Sequence, residues 1–146
     1  TTIGRQQKLE EGHYVHHFSI NPKNLEEVAS HGKEGTKTLS EADIELLKEG
    51  LRKGATYYDS AAKAGTENEI LFYVELKEAS KLVLPNFTEM VKMSDSKDGG
   101  KRYFDLSEVK TELAKYKSEI EKTEIYYNPQ NTVVNELPDD CEVMGL

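Results

Sequence analysis

Apolar and polar side chains alternate from His13 to Ile20. Tyr14, His16, Phe18 and Ile20 fall on one side and His13, Val15, His17 and Ser19 on the other, which predicts a strand covered on one face and partly wet on the other. Asn21-Pro22 is expected to end it, because proline has no ladder donor. Residues 23–38 read as a polar connection with a short helical turn near Leu25–Ala29. The period changes at Ser40. Ser40 with Asp43 reads as a capping box, and Leu39 with Ile44 as a hydrophobic staple. Ile44, Leu47, Leu51, Ala55 and Tyr58 then recur at helical spacing, with Glu45, Lys48, Glu49, Arg52 and Lys53 lying mostly off that stripe. A second strand, Glu69 to Leu76, is apolar on both faces, which predicts a central position in a sheet. Strand, helix and strand over residues 13–77 are expected to form one unit, with 13–20 and 69–77 as sheet neighbours crossed by the helix.

Downstream the pattern thins. Leu82, Val83, Leu84, Phe87, Met90, Val91 and Met93 are expected to cover one edge of the core. Ser94 to Gly100 reads as a hairpin tip between Val91–Met93 and Arg102–Phe104. A second helix is predicted from Ser107, with Val109, Leu113, Tyr116 and Ile120 as its stripe. Glu124 to Pro129 reads as a short edge strand, and residues 130–146 as a polar, acidic, loosely held tail. The expected organisation is a single domain over 1–146: a core at 13–77, an extension at 78–127 and a loose tail at 128–146.

Composition bounds this picture. Of 146 residues, 36% are hydrophobic and 32% charged, which supports a modest core under a heavily solvated surface. The net charge of −8 is unevenly spread: residues 1–65 hold 9 Lys/Arg against 10 Asp/Glu, and residues 66–146 hold 10 against 17. Phosphate contact needs positive charge, so the second part does not invite a polyanion, while the near-neutral first part leaves room for a local basic surface. One cysteine, Cys141, rules out an internal disulfide and fits a reducing, cytoplasmic compartment. No apolar run approaches a membrane span and no signal-peptide pattern is present. The sequence starts Thr1-Thr2 without methionine, and the expectation is a chain processed or cut from something longer.

Candidate chemistry is sparse. Gly4-Arg5 joins a residue that lets backbone approach a ligand to one that forks onto phosphate; an exposed, frayed terminus is the plainer reading. Ser60 to Gly65 suits backbone contact with a phosphate chain and equally suits an ordinary helix ending. His16-His17 would face opposite sides of a strand and cannot share one ion, and a single cysteine gives no zinc spacing. Cys141 sits among acids, which disfavours its thiolate. Neither a nucleophile with a base nor a dinucleotide or phosphate-loop motif is found, so no catalytic residue, metal or cofactor is expected and the chain is not expected to be an enzyme.

Taken in order, Thr2-Ile3-Gly4-Arg5, Tyr14 to Pro22, Leu39 to Leu51, Ser60 to Gly65, the strand at 70–76 and Phe87 to Lys92 resemble the C-terminal half of the CRISPR-associated backbone subunit. This protein repeats along the guide RNA in type I (Cascade) antiviral effectors, and the match is to the branch of subtypes I-B and I-C. The likeness covers roughly residues 2–93 and fades after that. It implies an α+β fold, part of an RRM-like (ferredoxin-type) antiparallel sheet with helices on one face and a C-terminal helical extension. It implies sequence-independent binding of guide RNA by its backbone, head-to-tail assembly with further copies and other Cascade subunits, no membrane, and no cutting of RNA. The family chain is about twice as long, so this one is expected to be a fragment lacking the first half and the thumb insertion. The implied RNA contacts are Gly4 and Arg5, Ser60 and Lys63, with Tyr14 and His16 as base-stacking candidates that also suit a plain sheet. Two other functions stay open: a ribonuclease using His13, His16 or His17, and an acidic protein-interaction module without nucleic acid.

Overall fold

The computed structural model describes residues 12–32, 38–57, 65–94 and 99–146. The order of elements is α1 (Pro22–His31), α2 (Glu41–Lys53), β1 (Ile70–Leu76), β2 (Lys92–Ser94), β3 (Arg102–Asp105), α3 (Ser107–Ala114), β4 (Ile120–Tyr127), β5 (Thr132–Asn135) and β6 (Cys141–Met144). The fold is α+β, as expected. Its strands form two three-stranded sheets, β1-β4-β6 and β2-β3-β5. Only β1–β4 and β2–β3 are antiparallel; β6 joins β4, and β5 joins β3, in parallel.

The first sheet has two different faces. Strand neighbours point opposite ways, so Ile70, Phe72 and Val74 of β1 share a face with Thr123, Ile125 and Tyr127 of β4. That face carries the core: Leu106, Val109 and Leu113 close over Ile125, joined by Leu84, Phe87, Met90, Val91, Val134 and Leu137. The other face carries Leu71, Tyr73 and Glu75 opposite Tyr126, Glu124 and Lys122, and α2 lies over it. The helices are therefore shared between both faces of the sheet rather than gathered on one.

Several expectations hold in detail. Ser40 and Asp43 form both capping-box bonds, and Lys92–Ser94 pairs with Arg102–Asp105 as the predicted hairpin. Other expectations fail for identifiable reasons. Residues 13–20 form no strand. Neither of their faces is apolar enough to specify a register, and β1 instead pairs along its length with β4. Phe18 stacks with Tyr73 while Phe72 meets Phe87, so the two phenylalanines sit on opposite faces of β1 and share no core. Asn21-Pro22 does not end a strand but opens α1: Asn21 Oδ1 accepts from the Lys23 amide at 3.1 Å, with Pro22 in the first turn. The second helix stops at Ala114, and Ile120 begins β4, so Ile120 meets the core from a strand. β4 is the central strand of its sheet, not an edge. The tail expected to be loose supplies β5 and β6, with Thr132 buried and Val134, Leu137 and Cys141 packed on the core.

Candidate functional site

Lys48 is the residue on which α2 docks. It lies four positions after Ile44 and three before Leu51, so helical geometry puts it on the sheet-facing side. It is the one fully buried residue of α2, at 2% exposure. Its Nζ donates to Glu124 Oε2 at 2.9 Å and sits 4.1 Å from the centre of the Tyr73 ring. Tyr126 Oη donates to the same oxygen at 2.8 Å. Lys122 Nζ reaches Glu124 Oε1 at 3.0 Å and Glu75 at 3.5 Å. Burial alone would raise the Glu124 carboxyl, but the bonds from Lys48, Tyr126 and Lys122 overcome it and hold the group at about 2. Burial pulls Lys48 down and the Glu124 bond pulls it further up, so it stays protonated. Burial raises Tyr73, and burial with the Glu124 bond raises Tyr126. The cluster is thus a charge-locked joint, with Glu124 held ionised, Lys48 and Lys122 protonated, and Tyr73 and Tyr126 neutral.

The C-terminal end of α2 is shaped by Asn68. Its Oδ1 accepts from the amides of Ala55 at 2.9 Å and Thr56 at 3.0 Å, and its Nδ2 donates to the Leu51 carbonyl at 3.0 Å. The Asn68 amide in turn donates to Thr56 Oγ1 at 2.9 Å. One side chain satisfies a carbonyl and two amides left over where the helix loosens. It also ties together residues 55–56 and 68, which flank the stretch holding Ser60 and Lys63.

A second tie fixes the segment before α1. His13 Nδ1 lies 2.6 Å from Glu69 Oε2, while Arg102 Nε lies 3.1 Å from Oε1 of the same carboxylate and Arg102 also meets Glu67 at 3.3 Å. With Phe18 stacked on Tyr73 at 6.4 Å, this holds the extended segment against the sheet by side chains rather than by a ladder. Tyr14 is 77% exposed, and His16 and His17 are exposed too. The structure therefore presents Tyr14 and His16 outward but brings neither into a pocket. Gly4, Arg5, Ser60 and Lys63 lie outside the described residues. A cavity of about 340 Å³ opens between Thr56, Asn68 and the turn at Tyr127–Asn128, but Glu67 and Glu69 border it, which sets its field against phosphate.

The residues that organise this surface, Lys48, Arg52, Asn68 and Glu124, escaped the sequence reading. Lys48 had a signal that the stripe of apolar residues masked: it stands four positions after Ile44 and three before Leu51, on their side of the helix. Glu124 had another, a carboxylate in a strand whose neighbours are β-forming. Asn68 carried none, since its partners are three backbone groups and one hydroxyl 12 to 17 positions away. Among the described residues no three His, Cys, Asp or Glu side chains converge as a metal site, and no helix is long and apolar enough to cross a membrane.

The family model for CRISPR-associated protein Cas7 matches residues 1–120. The chain belongs to the Cas7 family. That membership carries the family's general role, a CRISPR-associated, RNA-binding backbone subunit. It covers α1 to α3 and the start of β4 and stops short of β5 and β6. No curated protein matches the chain.

Proposed function

We propose that this Cas7-family chain binds guide RNA along its backbone, without reading bases, in a cytoplasmic type I (Cascade) effector of the I-B/I-C branch. In that reading it stacks head to tail with further copies beside other Cascade subunits, in the arrangement resembled by its order of segments from Thr2 to Lys92, and it does not cut RNA. The observation that carries the reading is the family match over residues 1–120. Two features support the non-catalytic part. Burial, with Glu124 and Glu142 nearby, pushes the Cys141 thiol up to about 11, which keeps it a poor nucleophile. Lys48 is held protonated by its bond to Glu124.

Arg5, Ser60 and Lys63 are the proposed phosphate contacts, with Gly4 letting the backbone approach and Tyr14 and His16 offering rings to bases. The test is binding of a generic single-stranded RNA at several salt concentrations. Arg5→Ala and Lys63→Ala should each weaken binding whatever the sequence and make the salt dependence shallower by about 0.7 of a unit. Tyr14→Ala should weaken binding at an unchanged slope, because stacking releases no counterions. Retention of affinity and slope by both cation variants would put the RNA elsewhere, and shortened RNA in the same mixtures would favour a nuclease.

A further inference from the structure

Arg52 is a cation held in position without a counter-ion among the described residues. It lies in the last turn of α2, with its guanidinium carbon 4.9 Å from the centre of the Tyr126 ring. Its Nε is buried and bonds nothing among the described residues. The carboxylate on the strand beneath, Glu124, is already taken by Lys48, Lys122 and Tyr126. Asn68, the nearby polar side chain on this end of the helix, is spent on Leu51, Ala55 and Thr56. A guanidinium braced on a ring has lost much of its rotamer freedom, so a ligand that meets its remaining nitrogens orders little further.

Two neighbouring side chains suit a nucleotide strand and must outweigh the negative end of the helix dipole; the nearby carboxylates of Glu67 and Glu69 are both paired with Arg102. Lys53 follows directly, and its only described ion pair is a loose one to Glu49 at 3.9 Å. The same end of α2 runs out to Tyr57, which is 75% exposed. A planar cation, a second cation and an exposed aromatic ring at one helix end suit a nucleotide strand, with phosphate on the guanidinium and a base on the ring. A bare carboxylate would use the cations and leave the ring idle.

We propose that Arg52 is a phosphate-contact residue for single-stranded RNA, its terminal nitrogens gripping phosphate oxygens while Tyr126 fixes the plane of the guanidinium. This rests on the RNA-binding reading above and adds to it a residue that neither the family match nor the sequence motifs single out.

The test uses the full chain with Arg52→Met, Arg52→Gln and Arg52→Lys, titrated with a fluorescent oligouridylate over a range of salt, with thermal melting and sedimentation of each protein. Arg52→Met keeps an apolar stem over Tyr126, so it should melt at or above wild type. It and Arg52→Gln should bind several-fold more weakly, with a slope shallower by about 0.7 of a unit. Arg52→Lys should keep the slope and lose part of the affinity, because it keeps the charge but not the fork. Wild-type binding with unchanged slope in Arg52→Met and Arg52→Gln overturns this proposal alone. Unchanged slope with lowered melting makes Arg52 a brace for the joint and also overturns it. Loss of self-association with RNA binding intact would assign the guanidinium to a carboxylate of a second copy, again overturning it. No RNA binding by wild type would overturn the general reading and this one together.

Discussion

Glu124 is surrounded by three donors, and its ionised form is what the joint between α2 and the sheet requires. The folded value of about 2 lies below the ordinary 4.5, so folding favours the carboxylate. Its contribution is complete above about pH 4.5 and is lost as the pH falls towards 2. Protonation would also leave Lys48, at 2% exposure, with only the solvent-facing Glu45, 3.4 Å away, to answer its charge. Glu124→Gln should therefore cost about 3–5 kcal/mol at pH 7, the usual cost of breaking one partner from a buried pair. It should also flatten the stability loss between pH 4.5 and 2. Urea unfolding at pH 7 and pH 3 reads both; an equal acid-induced loss in variant and wild type would mean that other carboxylates drive acid unfolding. Replacing Lys48 and Glu124 together by Met and Gln should recover part of the neutral-pH loss, because no buried charge is then stranded. At this scale the sequence was half legible. The spacing that makes Ile44 and Leu51 inward-facing also makes Lys48 inward-facing, but a lysine inside is affordable only with a partner, and that partner is 76 positions away.

The elements that were legible carry their own instructions. Ser40 and Asp43 cap α2 within four residues, and the hairpin of β2 and β3 needs only its two short runs and the glycines between them, where Gly99 and Gly100 take positive φ of 69° and 79°. Where the instruction was ambiguous the reading went wrong. Asn-Pro ends a strand and starts a helix with the same chemistry, and residues 13–20 have the period of a strand without a face to bury. The end of α2 depends on a residue outside it. Without Asn68, the amides of Ala55 and Thr56 and the carbonyl of Leu51 lose their partners. Asn68→Ala should destabilise the protein by roughly 1–3 kcal/mol and should do so locally. Amide exchange at Ala55 and Thr56 should speed up well beyond that at Val109 and Leu113 in α3, which pack on the opposite face. On the proposal that Ser60 and Lys63 contact phosphates, RNA binding should weaken as well, because Asn68 joins the described residues on either side of them in the sequence. Uniform acceleration of exchange throughout the chain would show instead that Asn68 supports the whole fold.

At the scale of the molecule the largest departure from expectation is the acidic C-terminal stretch. Its composition reads as solvated chain, with Glu136, Asp139, Asp140 and Glu142 close together, and its strands are only four residues each. Neither strand is recognisable alone. Each becomes a strand by joining, in parallel, an edge that earlier elements have built: β5 beside β3, and β6 beside β4 with Cys141 opposite Thr123 and Val143 opposite Ile125. Parallel pairing of this kind is fixed by distant partners, so no local pattern announces it. The charges that suggested a loose tail lie outward or meet lysines, as Glu136 meets Lys110 at 3.4 Å and Asp140 meets Lys117 at 3.3 Å. Cys141 reports directly on whether this stretch is held. Burial first, then Glu124 and Glu142, raise its thiol from 9.0 to about 11, so in the folded protein at pH 8 very little is thiolate. Unfolding removes the burial and Glu124 and leaves only the neighbouring Glu142, which brings the thiol back towards its ordinary range and raises the reactive fraction by up to about a hundredfold. A thiol-specific reagent at pH 8 should therefore react slowly with the native chain. On titration with urea its rate should rise in step with the loss of helical circular dichroism. A native rate already equal to that in urea would detach β6 from β4 and restore the tail to solvent.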